Sequence, residues 1–254
     1  MIDSHCHLTD ERIWDLARSW IKAAQIAGIK HVRIGGLEPS EWNRQIELQN
    51  EFPNFIRTSF GLHPWWIEKY SRPQIDGILK ELEFRLDDAN AIGETGLDFY
   101  KKRDETRFKD QEHAFRIQIK LALAAKLPLV LHIVKAHQQA LQILKEEKAL
   151  DLPVQVHSFS GSKDAAIEWI KIGAFLSFSG AFTEPKNKKL REILKATPSS
   201  QILFETDSPD QAWREDKRNE PQFVVELYER GAQVLDLKLT SLVEIVAENF
   251  ERFR

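Results

Sequence analysis

A chain of 254 residues with an apolar share of 42%, including 15 Phe and 7 Trp, can bury a sizeable core, and a charged share of 30% is ordinary for a soluble surface. A net charge of −3 excludes a protein that coats nucleic acid by charge alone; the single Cys excludes an intramolecular disulfide and a thiolate-built zinc site, leaving nitrogen and oxygen to hold any metal. No apolar run approaches the roughly 20 residues that span a bilayer, and no basic-then-apolar secretory signal opens the chain, so the expectation is a cytoplasmic protein with no membrane partner.

The first β-rich run is MIDSHCH, in which His5 and His7 alternate with Cys6. In an extended strand, residues two apart share a face, so both imidazoles project together. A helix follows in DERIWDLARSWIKAAQIAG, with Ile13, Leu16, Ala17, Trp20, Ile21 and Ala24 on one 3.6-period face and Gly28 closing it. A second strand, HVRIGG, leads to the helical PSEWNRQIELQNEF, a third strand, FIRTSFGLHP, and a helix to about Asp87. The fourth strand is AIGETGLDF. A helix from about Glu105 to Lys126 precedes the fifth, LPLVLHI, which ends at His132. LPVQVHSFSG, GAFLSFSG and QILFETDSP supply three more, each after an amphipathic stretch. The last helix opens with Ser241 and Glu244 in capping-box spacing.

Eight strands alternating with helices, with no linker composition, argue for one α/β domain over 1–254, a parallel (β/α)₈ TIM barrel. A doubly wound open sheet would carry a Gly-rich phosphate-binding turn after its first strand, and SHCHLTD is no such turn.

Barrel chemistry sits at the C-terminal ends of the strands. Those ends offer His5 and His7, His63, Glu94, His132, His157, then Glu205 and Asp207; strands two and seven end in glycines. His31, His113 and His137 fall at a strand start or inside helices and read as surface or packing. Singly, Glu94, His63 and Asp207 also read as loop, turn or cap residues. Together, closed around one axis, carboxylates and imidazoles of this composition call for a divalent cation as counter-charge.

The motifs DSHCHL, GLHP, IGETGLDFY, HSFSGS, SFSG, ETDSP and KRNEP occur in the order seen in the TatD-related deoxyribonucleases, and the chain resembles that family over nearly its whole length. The resemblance implies a metal-dependent hydrolase barrel with two divalent metal ions (zinc, magnesium or manganese). By that likeness His5, His7, Glu94 and Asp207 hold one ion, Glu94, His132 and His157 the second, and Glu94 bridges. His63, Glu205, Arg218 and Glu220 match positions lining the pocket, where they support the metal ligands or contact the substrate. Asp207 is the candidate for positioning and deprotonating the attacking water. Glu205, two residues back, is the candidate for orienting a metal ligand or tuning that carboxylate.

The chain departs from the family after the fifth-strand histidine, where many relatives have Ser then Arg and this chain has Ile133, Val134 and Lys135. Its strand-eight loop, DQAWREDKRNEP, also differs. Around the active face stand Trp65, Trp66, Phe99, Tyr100, Phe159 and Trp213, with basic clusters at Lys101–Arg103, Lys186–Lys189 and Arg214–Arg218. Such aromatics stack on unpaired bases. The expectation is therefore a monomeric, metal-dependent phosphodiesterase acting exonucleolytically on single-stranded DNA or RNA. The alternatives are a hydrolase of a small ester, lactone, amide or phosphate on the same barrel, and a binding protein whose metal site no longer turns over.

Overall fold

The first strand, β1 (Ile2–Cys6), pairs in parallel with β2 (His31–Gly35), and the order continues through β3 (Ile56–Phe60), β4 (Ala91–Asp98), β5 (Leu129–Val134), β6 (Val154–Val156), β7 (Phe175–Phe178) and β8 (Ile202–Phe204). This computed structural model describes residues 1–100, 105–214 and 219–253. Lys101–Arg103, Lys217 and Arg218 lie outside the described residues. The ring closes just beyond the strand ends, where Asp207 N donates to His5 O at 3.0 Å and His7 N to Ser208 O at 2.7 Å. Below them Asp3 accepts from Thr206 N and Oγ1 at 2.9 and 2.6 Å. The eight parallel strands thus form the TIM barrel that the alternation of elements predicts.

Helices α1 (Ala17–Ile26), α2 (Pro39–Glu51), α3 (Pro64–Ile67), α4 (Arg72–Glu83), α5 (Glu105–Ala125), α6 (His137–Glu146), α7 (Lys163–Lys171), α8 (Lys188–Ala196), α9 (Val224–Leu235) and α10 (Leu239–Phe253) accompany the strands. Helix α1 buries Ala17, Ile21 and Ala24 as its periodicity requires, and Gly28 follows it at φ +85°, where only Gly is unstrained. Leu16 departs from that face. It lies in a 3₁₀ turn, Trp14–Leu16, whose tighter winding leaves it 48% exposed. The helix read as running to Asp87 is divided: α3 stops at Ile67, and α4 starts anew with a capping box of Ser71 and Gln74. Asp236, at φ +54°, ends α9 and turns the chain so that α10 begins at Leu239. Ser241 is therefore inside α10 and not its N-cap, as Leu242 N donating to Lys238 O at 3.1 Å confirms.

The shell between strands and helices is apolar, with Ile21, Ile34, Leu131, Leu176, Leu203 and Phe250 fully buried. The barrel interior is more polar. Ser4 and Ser177 share a hydrogen bond of 2.8 Å, and Gln155 Nε2 reaches both Ser4 Oγ and Glu205 Oε2 at 3.2 Å. Arg33, on β2, donates from Nη1 to Gln155 Oε1 at 3.4 Å, with its guanidinium 4.6 and 4.3 Å from the Phe250 and Phe253 rings. Among the described residues no helix is long and apolar enough to cross a membrane.

Candidate metal centre

His5 lies near the end of β1 facing the barrel axis, and His7 follows just past the strand on the same side; their Nε2 atoms approach to 3.3 Å while Cys6 is buried in the apolar core. Space for the His5 ring comes from the next strand. A Cβ on Gly35 would lie 2.4 Å from His5 Cε1, so the glycine ending β2 is required by the histidine beside it.

The chain next brings two carboxylates to these rings. Glu94 Oε1 stands 3.3 Å from His5 Nε2 and 3.2 Å from His7 Nε2. Asp207 Oδ1 stands 3.2 Å from His7 Nε2 and 3.8 Å from His5 Nε2. Asp207 adopts φ +55°, a conformation Asp tolerates better than most residues, and Gln211 Nε2 donates to its other oxygen. The second oxygen of Glu94 faces the opposite way. Glu94 Oε2 lies 2.8 Å from His157 Nε2 and 3.6 Å from His132 Nδ1, and these two nitrogens are 3.1 Å apart.

These separations test whether a cation fits. Ligand atoms about 2.0–2.1 Å from one tetrahedral zinc lie about 3.4 Å from each other, close to the His5, His7, Glu94 and Asp207 spacings. With both Nε2 atoms unprotonated, the lone pairs of His5 and His7 face each other at 3.3 Å, an arrangement that a cation between them would satisfy. Glu94 Oε1, though buried, also accepts no hydrogen bond. The donor set fits divalent metal. Among the described residues, three trios place a ligand atom of each member within 4.8 Å of the others: His5, His7 and Asp207; His5, Glu94 and His157; His63, Glu94 and His132.

Ionisation follows from this crowding. Burial pushes the Glu94 carboxyl up, yet the His157, His5 and His7 rings hold it well below the usual carboxylate range. Burial likewise opposes charge on His157 and His7, but the carboxylates together outweigh it, Glu94 and Glu205 at His157, and Glu94 and Asp207 at His7, which reaches about 10. His63 falls well below its ordinary value, because burial and the neighbouring His132 both disfavour a proton.

The remaining expected residues divide. Glu205 is fully buried and does not face the open cavity; Oε1 accepts from Ser158 N at 2.6 Å and lies 3.3 Å from His157 Nδ1, while Oε2 accepts from Gln155. It bears on the site through His157. His63 has Nε2 3.7 Å from Glu94 Oε2 and accepts from Trp65 N at 3.0 Å on Nδ1. Glu220 is partly buried, accepts from Gln222 Nε2 at 2.8 Å, and does not line the cavity. Arg218 lies outside the described residues.

Two participants went unread in the sequence. Asp98, ending β4, has Oδ2 3.3 Å from His132 Nε2 and 2.5 Å from Trp65 Nε1, while its Oδ1 accepts from Tyr100 N at 2.9 Å. Burial opposes charge on Asp98, but His132 and Trp65 win and hold its carboxyl below the usual range. The GETGLD run carried the only signal. Glu41, read merely as a helical residue, accepts from Thr9 Oγ1 at 2.8 Å and lines the cavity beside His7.

That cavity, about 1060 Å³, opens over the metal-ligand set and is bordered by Arg12, Glu38, Trp65, Phe159 and Asp210. Of the aromatics expected around it, Phe159 is buried at 2%, Trp66 lies under the Lys69 ammonium at 3.4 Å, and Trp213 packs against Gly180. Trp65 and Tyr100 are exposed, at 48% and 63%. Among the expected cations, Lys186 pairs with Glu184 at 2.7 Å and Arg214 with Glu226.

A model of the TatD related DNase family matches residues 2–254. The chain belongs to that family. The TatD-family chain is 31% identical over 256 residues to the metal-dependent hydrolase YabD of Bacillus subtilis, covering 99% of this chain and 98% of that protein. It is 27% identical over 239 residues to a protein of Erwinia tasmaniensis named 3'-5' ssDNA/RNA exonuclease TatD, covering 91% of each. The crystal structure of YjjV, a TatD homologue from Escherichia coli K12, superposes with a TM-score of 0.90 at 25% identity, covering 100% of this chain and 97% of that one. As a TatD-family member, it is a metal-dependent hydrolase.

Proposed function

We propose that this chain hydrolyses phosphodiester bonds of single-stranded DNA or RNA from a strand end, using two divalent cations bridged by Glu94. The observation that carries the reading is the disposition of Glu94: one oxygen faces the His5, His7 and Asp207 side, the other the His132 and His157 side. His5, His7, Glu94 and Asp207 would hold one cation; His132, His157 and Glu94 would hold the other, with His63 alongside. When bound, such cations supply Lewis-acid stabilisation of the phosphoryl group and a potent nucleophile at neutral pH.

The protein's own groups do the rest. Asp207, on the cavity wall, positions the attacking water and accepts its proton. Glu205 fixes the His157 ring from behind, and Asp98 does the same for His132. The exposed Trp65 offers a face to a terminal base, and relatives named as deoxyribonuclease or single-strand exonuclease support a nucleic-acid substrate. End-labelled single strands incubated with Mg²⁺ or Mn²⁺ should shorten, and chelator or His5→Ala should abolish the shortening. Shortening that survives both would overturn the metal reading. A metal-replete protein inert on every polynucleotide but active on small esters would overturn the nuclease reading.

A further inference from the structure

A second cavity, of about 820 Å³, adjoins the first, and Val134 and Ser160 line both. Val134 is two residues beyond His132 on β5, roughly 6.6 Å at strand spacing. That distance is on the order of one backbone repeat of an extended single strand. The second cavity therefore begins about one nucleotide from the cluster around Glu94.

Each cavity has its own exposed aromatic: Trp65 at the first, Tyr100 at the second. Phe99, also at the second, is packed on Phe108 with ring centroids 4.1 Å apart. One carboxylate anchors both exposed residues. Asp98 Oδ2 accepts from the Trp65 indole, and Oδ1 accepts from the Tyr100 backbone N–H. The same Asp98 lies 3.3 Å from His132 Nε2, so the Trp65 ring and the Tyr100 backbone are both registered to a side chain of the candidate metal centre.

Charge also distinguishes the two spaces. The first is bordered by Asp10, Glu11, Glu38, Glu41 and Asp210 against Arg12 and Arg44, an unfavourable path for successive phosphates. The second brings Lys135 and Lys189, with the Lys135 ammonium 4.6 Å from the Tyr100 ring centroid. Of the carboxylates there, Glu168 is paired with Lys171 at 2.6 Å and Asp164 sits in the first turn of α7.

We propose that the second cavity is the subsite for the nucleotide next to the scissile phosphate, its base stacked on Tyr100 and its phosphate against Lys135. This rests on the nuclease reading of the metal centre and extends it: two bases, one at Trp65 and one at Tyr100, span the cleaved bond.

The test is a length series on the Mn²⁺-loaded full chain, comparing nucleoside methyl phosphodiesters, which carry one base, with dinucleotides and trinucleotides. The wild type should gain about 5- to 150-fold in kcat/KM from one base to two, the worth of one base on an aromatic face. Tyr100→Ala should erase that step, chiefly through KM; Tyr100→Phe, which keeps the ring, should retain it. Lys135→Gln should reduce the step and weaken its salt dependence. A step that persists in Tyr100→Ala, or a wild type that cleaves nucleic acid with no step, overturns the subsite alone. A wild type that cleaves no nucleic acid in this series overturns the nuclease reading and the subsite with it.

Discussion

Asp98→Asn tests the proposal that cations lie on the two sides of Glu94. The wild-type carboxylate faces three groups: the His132 ring, the Trp65 indole and the Tyr100 amide. An amide of the same shape has one oxygen and presents N–H where the other stood, so at least one donor loses its acceptor. A buried donor left unpaired costs about 1–3 kcal/mol of folding stability. Loss of an outer partner of a metal-binding histidine typically weakens metal affinity or activity by about 10- to 100-fold. The variant should therefore bind the cation beside His132 about 10- to 100-fold more weakly, while binding at His5, His7 and Asp207 stays within about threefold. Titration of metal-free protein with Zn²⁺ against a chromophoric chelator resolves the two steps, and urea unfolding reads the stability. If both binding steps stay within threefold of wild type, Asp98 does not orient His132; an equal loss at both would show general disruption instead.

Two further outcomes follow from the geometry. Gly35→Ala places a methyl within contact of the His5 ring, at an overpacking cost of about 1–3 kcal/mol, and should displace that ring. The metal-to-protein ratio should fall while circular dichroism keeps the barrel signature; full metal loading at wild-type affinity would contradict the steric argument. His137 carries a different prediction. Its Nδ1 accepts from Trp169 Nε1 at 3.0 Å, and burial lowers its pKa from 6.5 to about 4. Below pH 6.5 the unfolded chain takes up a proton that the folded chain refuses, so this residue's contribution to stability is lost as pH falls from about 6.5 to 4. The loss is at most about 3 kcal/mol, less for its partial exposure. The stability difference between wild type and His137→Gln, measured by denaturant unfolding at pH 7, 5.5 and 4.5, should shift against the wild type at low pH. A constant difference would refute the assignment.

The alternation of strand and helix was legible because each strand is a short run rich in β-branched and aromatic residues with a helical period after it. The clustering at strand ends was legible for the same reason: closing the sheet forces His5, Glu94, His132 and His157 toward one axis. Asp98 escaped notice because its role depends on register. Its pairing with Val134 brings it beside His132 on the adjacent strand, and no local pattern states which residues two strands align. Glu205 shows the opposite limit. It is two residues from Asp207, but the left-handed turn at Asp207 carries that carboxylate onto the cavity wall and leaves Glu205 behind His157. Helix α9 went unread because PQFVVELYERGAQVL follows a polar loop directly and has no N-cap side chain to announce it.

The seam between β8 and β1 has a mechanical consequence. Elsewhere in the ring neighbouring strands are paired by parallel ladders, those of β1 with β2 and β4 with β5 each carrying a register shift; here the join described above consists of backbone bonds past the end of β8 and the Asp3 contacts. His7 and Asp207 face each other across it, 200 positions apart in the chain. An ion held by both would bind the closed barrel and not the open chain, and so would offset the entropy lost in bringing these distant positions together by its own binding free energy. Cation loading would then protect the first and last strands from solvent exchange more than the middle of the sheet, so the barrel's hoop would tighten at its weakest stave.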